Sequence, residues 1–266
     1  MSVLEIRSLN KVYVDDYTGE EVPAIGDVSF SVEQGEFVSI LGPSGCGKTT
    51  VLNIIAGFID PTGGEVLLNG EAISGPGPDR GVVFQSFALF PWKTVLGNLT
   101  FGLKMRRIPR REREEIAAEY LELVGLSGFE RRYPHELSGG MQQRLGVARV
   151  LAIEPSVMLM DEPFASVDAQ TRMKLQEDLT RIWQDRRPTI FFVTHDVDEA
   201  VFLSDRVIVL SQGPSRVREI VEVDIPRPRR WDELIEDPVF RRTSHRIIEL
   251  LSAPADVEDR SDAATP

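Results

Sequence analysis

Cysteine is almost absent from this 266-residue chain, Cys46 being the only one. That excludes an internal disulfide and suits a reducing compartment. Positive charge is in deficit too: 30 Lys and Arg against 42 Asp and Glu leave a formal net charge of -12. Such a balance argues against a general nucleic-acid role, which needs clustered cations to neutralise phosphates. It argues equally against direct binding to an anionic membrane surface. No run approaches the roughly 18 apolar residues that span a bilayer, and "MSVLEIRSLNKVY" has no charged-then-apolar leader that would argue for export. Any membrane role must therefore pass through another protein. No internal repeat is present either.

What remains is an ordinary globular composition, 42% apolar and 27% charged. The length suffices for one large domain or two small ones. Two basic clusters run against the average: Lys104, Arg106, Arg107, Arg110, Arg111 and Arg113, then Arg227, Arg229 and Arg230. Interleaved prolines and following acidic residues make both read as solvated faces.

The N-terminal part reads as β structure, with "VLEIRSL", a polar stretch through "DDYTGEE", and the alternating "DVSFSVE". "EFVSIL" is an apolar strand feeding a glycine-rich turn, and "KTTVLNIIAG" a helix ended by Gly57. "GEVLLNGE" and "RGVVFQ" are further strands. From about Phe87 to Ala152 the texture is helical and charged. Then come "VMLMDE" as strand, "AQTRMKLQEDLTRIWQD" as helix, "TIFFVTH" as strand, "DVDEAVFLS" as helix and "DRVIVLS" as strand. Strands alternating with helices predict a mostly parallel sheet covered on both faces, with the helical middle inserted into it. The final "ADVEDRSDAATP" reads as a disordered tail.

"GPSGCGKT" fits G-x-x-x-x-G-K-[ST] completely, between an apolar strand and a helix where the motif belongs. Its glycines let backbone N–H groups wrap phosphates, Lys48 can reach the β- and γ-phosphates, and the Thr49 hydroxyl can ligate Mg²⁺. Cys46 within it reads as a tolerated small residue. "VMLMDE" sets Asp161 and Glu162 at the carboxyl end of a buried strand, the edge where open α/β sheets bind ligands. One carboxylate there can hold Mg²⁺ through water and the second can polarise an attacking water. His195 and Gln85 end two other strands in the same manner. His195 can reach a γ-phosphate, while the Gln85 amide can orient water or touch Mg²⁺.

A second anion cradle lies ninety residues on. "LSGGMQQR" opens a helix on Ser138, Gly139 and Gly140, whose free N–H groups and positive dipole end suit an anion. One phosphate loop already accounts for one nucleotide. Two copies about a two-fold axis could each offer the second cradle to the other's nucleotide, burying two ATP molecules between them.

With the phosphate loop and "VMLMDEP", that signature resembles the ATP-binding subunit of an ABC transporter, over roughly residues 3 to 250. The resemblance implies an α/β P-loop NTPase cassette with a RecA-like core sheet, an N-terminal antiparallel β subdomain and an inserted α-helical subdomain. It divides the chain into a core of residues 1–86 and 153–225, a helical signature subdomain 87–152, a C-terminal helical extension 226–252 and a tail 253–266. It implies that Tyr13 stacks on adenine, with Tyr17 as the nearby alternative, and that Gly42, Pro43, Ser44, Gly45, Cys46, Gly47, Lys48, Thr49 and Thr50 cradle the phosphates. Asp161 would be the Walker B aspartate, Glu162 the catalytic base, His195 the switch histidine and Gln85 the Q-loop residue. Leu137, Ser138, Gly139, Gly140 and Gln142 belong to the signature. Asp168, in "FASVDAQTR", would bridge the protomers, in a loop where relatives commonly read Ala-Leu-Asp instead of Ser166-Val167-Asp168. ATP and Mg²⁺ are the implied ligands.

"GPGPDRGVVFQ", "LFPWKTVLGNLTFGL", "RRYPHELSGGMQQR" and "FVTHDVDEAVFLSDRVIVLS" are similar to one branch, the nitrate/sulfonate/taurine importers. That branch implies a peripheral place on the cytoplasmic side of the cell membrane, a membrane permease partner and an extracytoplasmic solute-binding protein, with no nucleic acid. Phe90, Pro91 and Trp92 would form an exposed apolar knob for the permease. The stretch after Ser211 is too short for the extra β-barrel of sugar and polyamine importers. The alternatives are the same cassette serving another small solute, or a soluble non-transport ABC ATPase. The latter usually carries two cassettes or a long coiled coil, and neither is present. A plain P-loop kinase or GTPase would leave "LSGGMQQR" unexplained.

Overall fold

Four strand cores alternate their side chains between two apolar layers in a computed structural model that describes residues 2–253. They are β3 (Phe37–Leu41), β7 (Val157–Asp161), β8 (Ile190–Val193) and β9 (Arg206–Leu210). Phe37, Met158, Met160, Ile190, Phe192, Val207 and Val209 enter one layer. Val38, Ile40, Val157, Leu159, Phe191, Val193, Ile208 and Leu210 enter the other. Strands buried on both faces read as continuous apolar runs, which is why these segments lack a polar alternation.

The strands form a six-membered sheet in the order β10-β9-β3-β8-β7-β6, where β6 is Arg80–Val83 and β10 is Val217–Glu222. Every pairing is parallel except the edge pair β10–β9. Parallel register brings the carboxyl ends of β3, β6, β7 and β8 to one edge.

A second sheet is antiparallel, in the order β2-β1-β4-β5. Its strands are β1 (Ser2–Val14), β2 (Glu21–Glu33), β4 (Gly63–Leu68) and β5 (Glu71–Ala72). Leu4, Ile6, Leu9, Val28 and Val32 pack from it against the central helix α1 (Lys48–Ala56) and one face of the large sheet. β1 and β2 are longer than their apolar alternation predicts. Tyr13 pairs with Val22 and Val14 with Glu21, in a solvent-facing ribbon that needs no buried face.

The other face carries α2 (Val95–Met105), α3 (Arg110–Leu123), α4 (Gly139–Leu151), α5 (Ala169–Arg186) and α6 (Val197–Leu203). The chain closes with α7 (Trp231–Leu234) and the amphipathic α8 (Pro238–Ser252). α1 ends as its sequence predicts, with Gly57 in the left-handed conformation at φ 76° and its N–H returned to the Asn53 and Ile54 carbonyls. The tail expected to be disordered lies outside the described residues from 254 on.

The first basic cluster is exposed apart from the half-buried Arg113, with Arg110 and Arg111 paired to Glu114 and Glu115 one turn on. The second is not a solvated face. Arg229 is 4% exposed and donates to the carbonyls of Val201, Phe202, Ser204, Val223 and Ile225. Arg227 donates to the Leu203 carbonyl and to Asp205, and stacks 4.2 Å from the Trp183 ring centroid. Both guanidiniums satisfy the open carbonyls at the carboxyl end of α6, a demand that a charge count cannot reveal. Burial lowers Arg229 to about 9, still a cation at neutral pH. Only Arg230 of the three faces solvent, paired with Asp232.

Candidate active site

The phosphate loop, residues 42–47, leaves β3 and enters α1 at the shared sheet edge. Gly45 and Gly47 take φ of 77° and 94°, which side chains rarely adopt. At Gly42 a Cβ would stand 2.5 Å from the Cys46 Sγ and 3.1 Å from Leu210. Cys46 is thus a buried packing residue under the loop, and burial raises its thiol pKa. Lys48 is buried, with its Nζ donating to the carbonyls of Gly42 and Pro43 at 2.8 and 3.1 Å. The ammonium therefore stands inside the curve of the loop.

Three other strand ends lie on the same edge as this loop. The Thr49 hydroxyl donates to Asp161 Oδ1 at 3.3 Å. Burial raises the Asp161 carboxyl above its ordinary value; the Thr49 bond and Lys48 oppose that shift, while Glu162 adds to it. Two oxygen donors side by side, next to room for phosphate oxygens, suit a hard cation such as Mg²⁺. Among the described residues no cluster of three or more His, Cys, Asp or Glu could hold a metal alone, so substrate oxygens would have to complete the set.

Glu162 is held at φ 44°, and its N–H donates to the Val193 carbonyl at 2.9 Å. A left-handed glutamate costs of order 1 kcal/mol and persists only where its surroundings enforce it. Its Oε2 stands 3.1 Å from His195 Nδ1, and the imidazole is largely exposed. Gln85 follows β6 on the same edge and is exposed.

Tyr13 and Tyr17 are separated by geometry. The Tyr13 hydroxyl lies 3.4 Å from Thr50 Oγ1, under Lys11, whose Nζ is 5.2 Å from the ring centroid. Tyr17 is 99% exposed in the loop beyond the ribbon. Only Tyr13 adjoins the phosphate loop.

The second cradle opens α4. Ser138 caps the helix by accepting from the Met141 N–H at 3.3 Å, while Gln142 donates to the Pro134 and Leu137 carbonyls and braces the turn. A Cβ on Gly139 would meet nothing within 4 Å, whereas one on Gly140 would stand 2.9 Å from Thr171. Thr171 in turn donates its N–H to Asp168, the cap of α5, and this bonding holds the Asp168 carboxyl below its ordinary value. The signature turn and the Asp168 loop are therefore neighbours.

Sequence reasoning missed Arg149. From α4 it donates to the carbonyls of Ala88 and Phe87, which both stand at positive φ in the loop after Gln85. Its guanidinium also lies 5.6 Å from the Phe90 ring centroid. Beyond that ring Pro91 and Trp92 are exposed, Trp92 at 71%, whereas Phe90 of the expected knob is half-buried against Phe101.

The chain's similarities agree with this geometry. The family model described as ABC transporter matches residues 25–165. A nitrate import ATP-binding protein of Synechococcus elongatus is 45% identical over 86% of this chain and 84% of its own length. A taurine import ATP-binding protein of Pseudomonas putida is 44% identical over 93% of this chain and 95% of its own. Among solved structures, a dimeric ATP-binding cassette in a post-hydrolysis state, bound to ADP and phosphate, superposes with a TM-score of 0.71. It is 33% identical and covers 84% of this chain and all of its own.

Proposed function

We propose, because this chain belongs to the ABC transporter family as an ATP-hydrolysing cassette, that it powers an importer of nitrate, taurine or alkanesulfonates. The observation that carries the catalytic part is the pairing of Glu162 with His195 beside Lys48 and Asp161. Lys48 exchanges its loop carbonyls for the β- and γ-phosphate oxygens, while the N–H groups of residues 44–50, which include the start of α1, take the remaining charge. Glu162 accepts a proton from the water that attacks the γ-phosphate, and His195 orients that carboxylate and touches the γ-phosphate. Mg²⁺, held by Thr49 and Asp161 with Gln85 in reach, would neutralise charge on the phosphates.

Placement supports the remaining roles. Tyr13 stacks on adenine. Ser138, Gly139, Gly140 and Gln142 present their turn to the nucleotide of a second copy, and Asp168 meets that copy beside it. Two ATP molecules are then shared across an isologous interface. The Phe90–Trp92 knob docks on a membrane permease, which places the chain peripherally on the cytoplasmic side and leaves solute recognition to a separate binding protein. No helix among the described residues is long and apolar enough to cross a membrane.

The test joins enzyme and solute. A deletion strain would be grown with nitrate as sole nitrogen source, then with taurine or alkanesulfonates as sole sulfur source. Failure on one compound, rescued by the wild-type gene and not by Lys48→Ala, is the expected result. Normal growth on all of them would move the solute to another small molecule and leave the ATPase reading intact.

A further inference from the structure

His195 sits in a turn that is closed from behind. The residue before it, Thr194, is buried and accepts from the Asp196 N–H at 3.1 Å, while its own hydroxyl donates to a Glu199 carboxylate oxygen. Asp196 caps α6 by accepting from the Glu199 N–H at 3.0 Å. Glu199 is itself buried, and its second oxygen accepts from Gln176 Nε2 at 2.7 Å. Gln176 belongs to α5, and its Oε1 accepts from the Trp231 indole N–H at 3.0 Å. Trp231 opens α7 and lies stacked on Phe202, with centroids 4.2 Å apart.

The donor sense of this chain is forced at its Trp231 end. An indole N–H and a backbone N–H can only donate. The Gln176 oxygen must therefore face Trp231 and its NH₂ must face Glu199. At the other end the Asp196 N–H takes a lone pair of Thr194, whose proton goes to Glu199. In this arrangement the ionised Glu199 accepts from both sides, one bond to each oxygen. Arg229 meanwhile holds the carboxyl end of the same helix through the Val201, Phe202 and Ser204 carbonyls. The segment after β10 thus fixes both ends of α6, the helix that begins at the histidine turn.

We propose that Glu199 is a positioning residue for His195, and that Trp231 sets its orientation through Gln176. The inference rests on the reading of His195 given above. The C-terminal segment then contributes to the chemical step without touching nucleotide: a displaced or unpaired Trp231 frees the Gln176 amide to turn, and the His195 turn loses its backing.

Steady-state ATPase kinetics of the full-length chain test it. In Glu199→Gln one amide NH₂ either faces the Gln176 NH₂, donor against donor, or reverses the Thr194 bond so that its hydroxyl proton must turn away, so kcat is expected to fall on the order of tenfold, the scale of a small misplacement of reacting groups. KM for ATP should stay within roughly twofold, since the phosphate loop is untouched. Trp231→Phe keeps the ring stack and removes only the donor. Its kcat should fall less and its KM should hold, and the double variant should be no slower than Glu199→Gln alone. Wild-type kcat in either folded variant, or a double variant whose losses multiply, would overturn the inference. Should Glu199→Gln fail to fold, Trp231→Phe alone decides. His195→Ala separates the two readings. If it loses kcat while both variants keep theirs, only this inference falls; if it keeps wild-type kcat, the reading of the site falls and this one with it.

Discussion

His195 Nδ1 and Glu162 Oε2 stand 3.1 Å apart although they come from different strands, the glutamate turned there by a left-handed backbone. A carboxylate that is to take a proton from water needs a fixed direction, and the imidazole supplies one. Glu162→Gln keeps the shape and removes the acceptor. Hydrolysis should slow by about 10²–10⁴ while ATP still binds. Light scattering with saturating ATP should then show a dimer, and a monomer under those conditions would sink the shared-nucleotide arrangement.

Gly42→Ala should damage nucleotide binding before it damages the fold. The added Cβ would press on the Cys46 sulfur at 2.5 Å, so either the loop or Cys46 has to shift. ATP affinity, measured by calorimetry, should drop at least roughly tenfold, or about 1.4 kcal/mol. Gly42→Ala combined with Cys46→Ala should recover part of the loss.

Arg229→Met should be the most destabilising change outside the core. The carbonyls of Val201, Phe202, Ser204 and Ile225 lose their Arg229 donor, while that of Val223 keeps the Ile225 N–H, and buried unsatisfied groups cost about 1–3 kcal/mol each before relaxation. Urea unfolding should show a loss of about 3 kcal/mol or more. Arg230→Met, next in the chain but solvent-facing, should change little.

Glu199 should leave a pH signature on stability. Burial raises its carboxyl above the ordinary 4.5; Asp196 adds to that shift, while Arg172 and the bonds from Thr194 and Gln176 oppose it. Below 4.5 both folded and unfolded chains hold the proton. Between 4.5 and the raised folded value only the folded chain does, so stability falls as pH rises through that window. Melting temperatures of wild type and Glu199→Gln from acid to neutral pH should therefore shift against the wild type as pH increases. A difference independent of pH would contradict the assignment.

Trp92→Ala should separate catalysis from transport. The ring is exposed and, among the described residues, its one ring contact is a tilted one with its neighbour Phe90, so stability and ATPase activity of the free chain should stay near wild type. Solute-dependent growth should fail, because an aromatic at the centre of a docking surface commonly contributes 2 kcal/mol or more, on the order of thirtyfold in affinity.

Much of the site was legible because its signals are local. A phosphate loop needs its glycines, lysine and threonine within nine residues, and strand ends bearing Asp161, Glu162 and His195 announce themselves as apolar runs stopped by a charge. The long ribbon from Lys11 to Val14 and from Glu21 was not legible, since a hairpin wet on both faces carries no apolar alternation. Nor were Arg227 and Arg229: their partners are carbonyls of a helix end more than twenty residues back. Glu199 had one local signal, the Asp196-x-x-Glu199 spacing of a helix cap, but its link through Gln176 to Trp231 joins three segments that only the fold brings together. Tyr13 and Tyr17 look alike in sequence, and the edge of a sheet separates them.

Arg149 holds the backbone of the loop after Gln85 from the last turn of the helix that Ser138 begins. With both carbonyls gripped by one guanidinium, that loop and that helix form a single lever. A tilt imposed at one end is delivered at the other without passing through the sheet. In a two-fold pair each half would then report the contents of its own loop by the angle at which it offers its helix to its twin. Arg149 would then be one link by which two distant pockets act together.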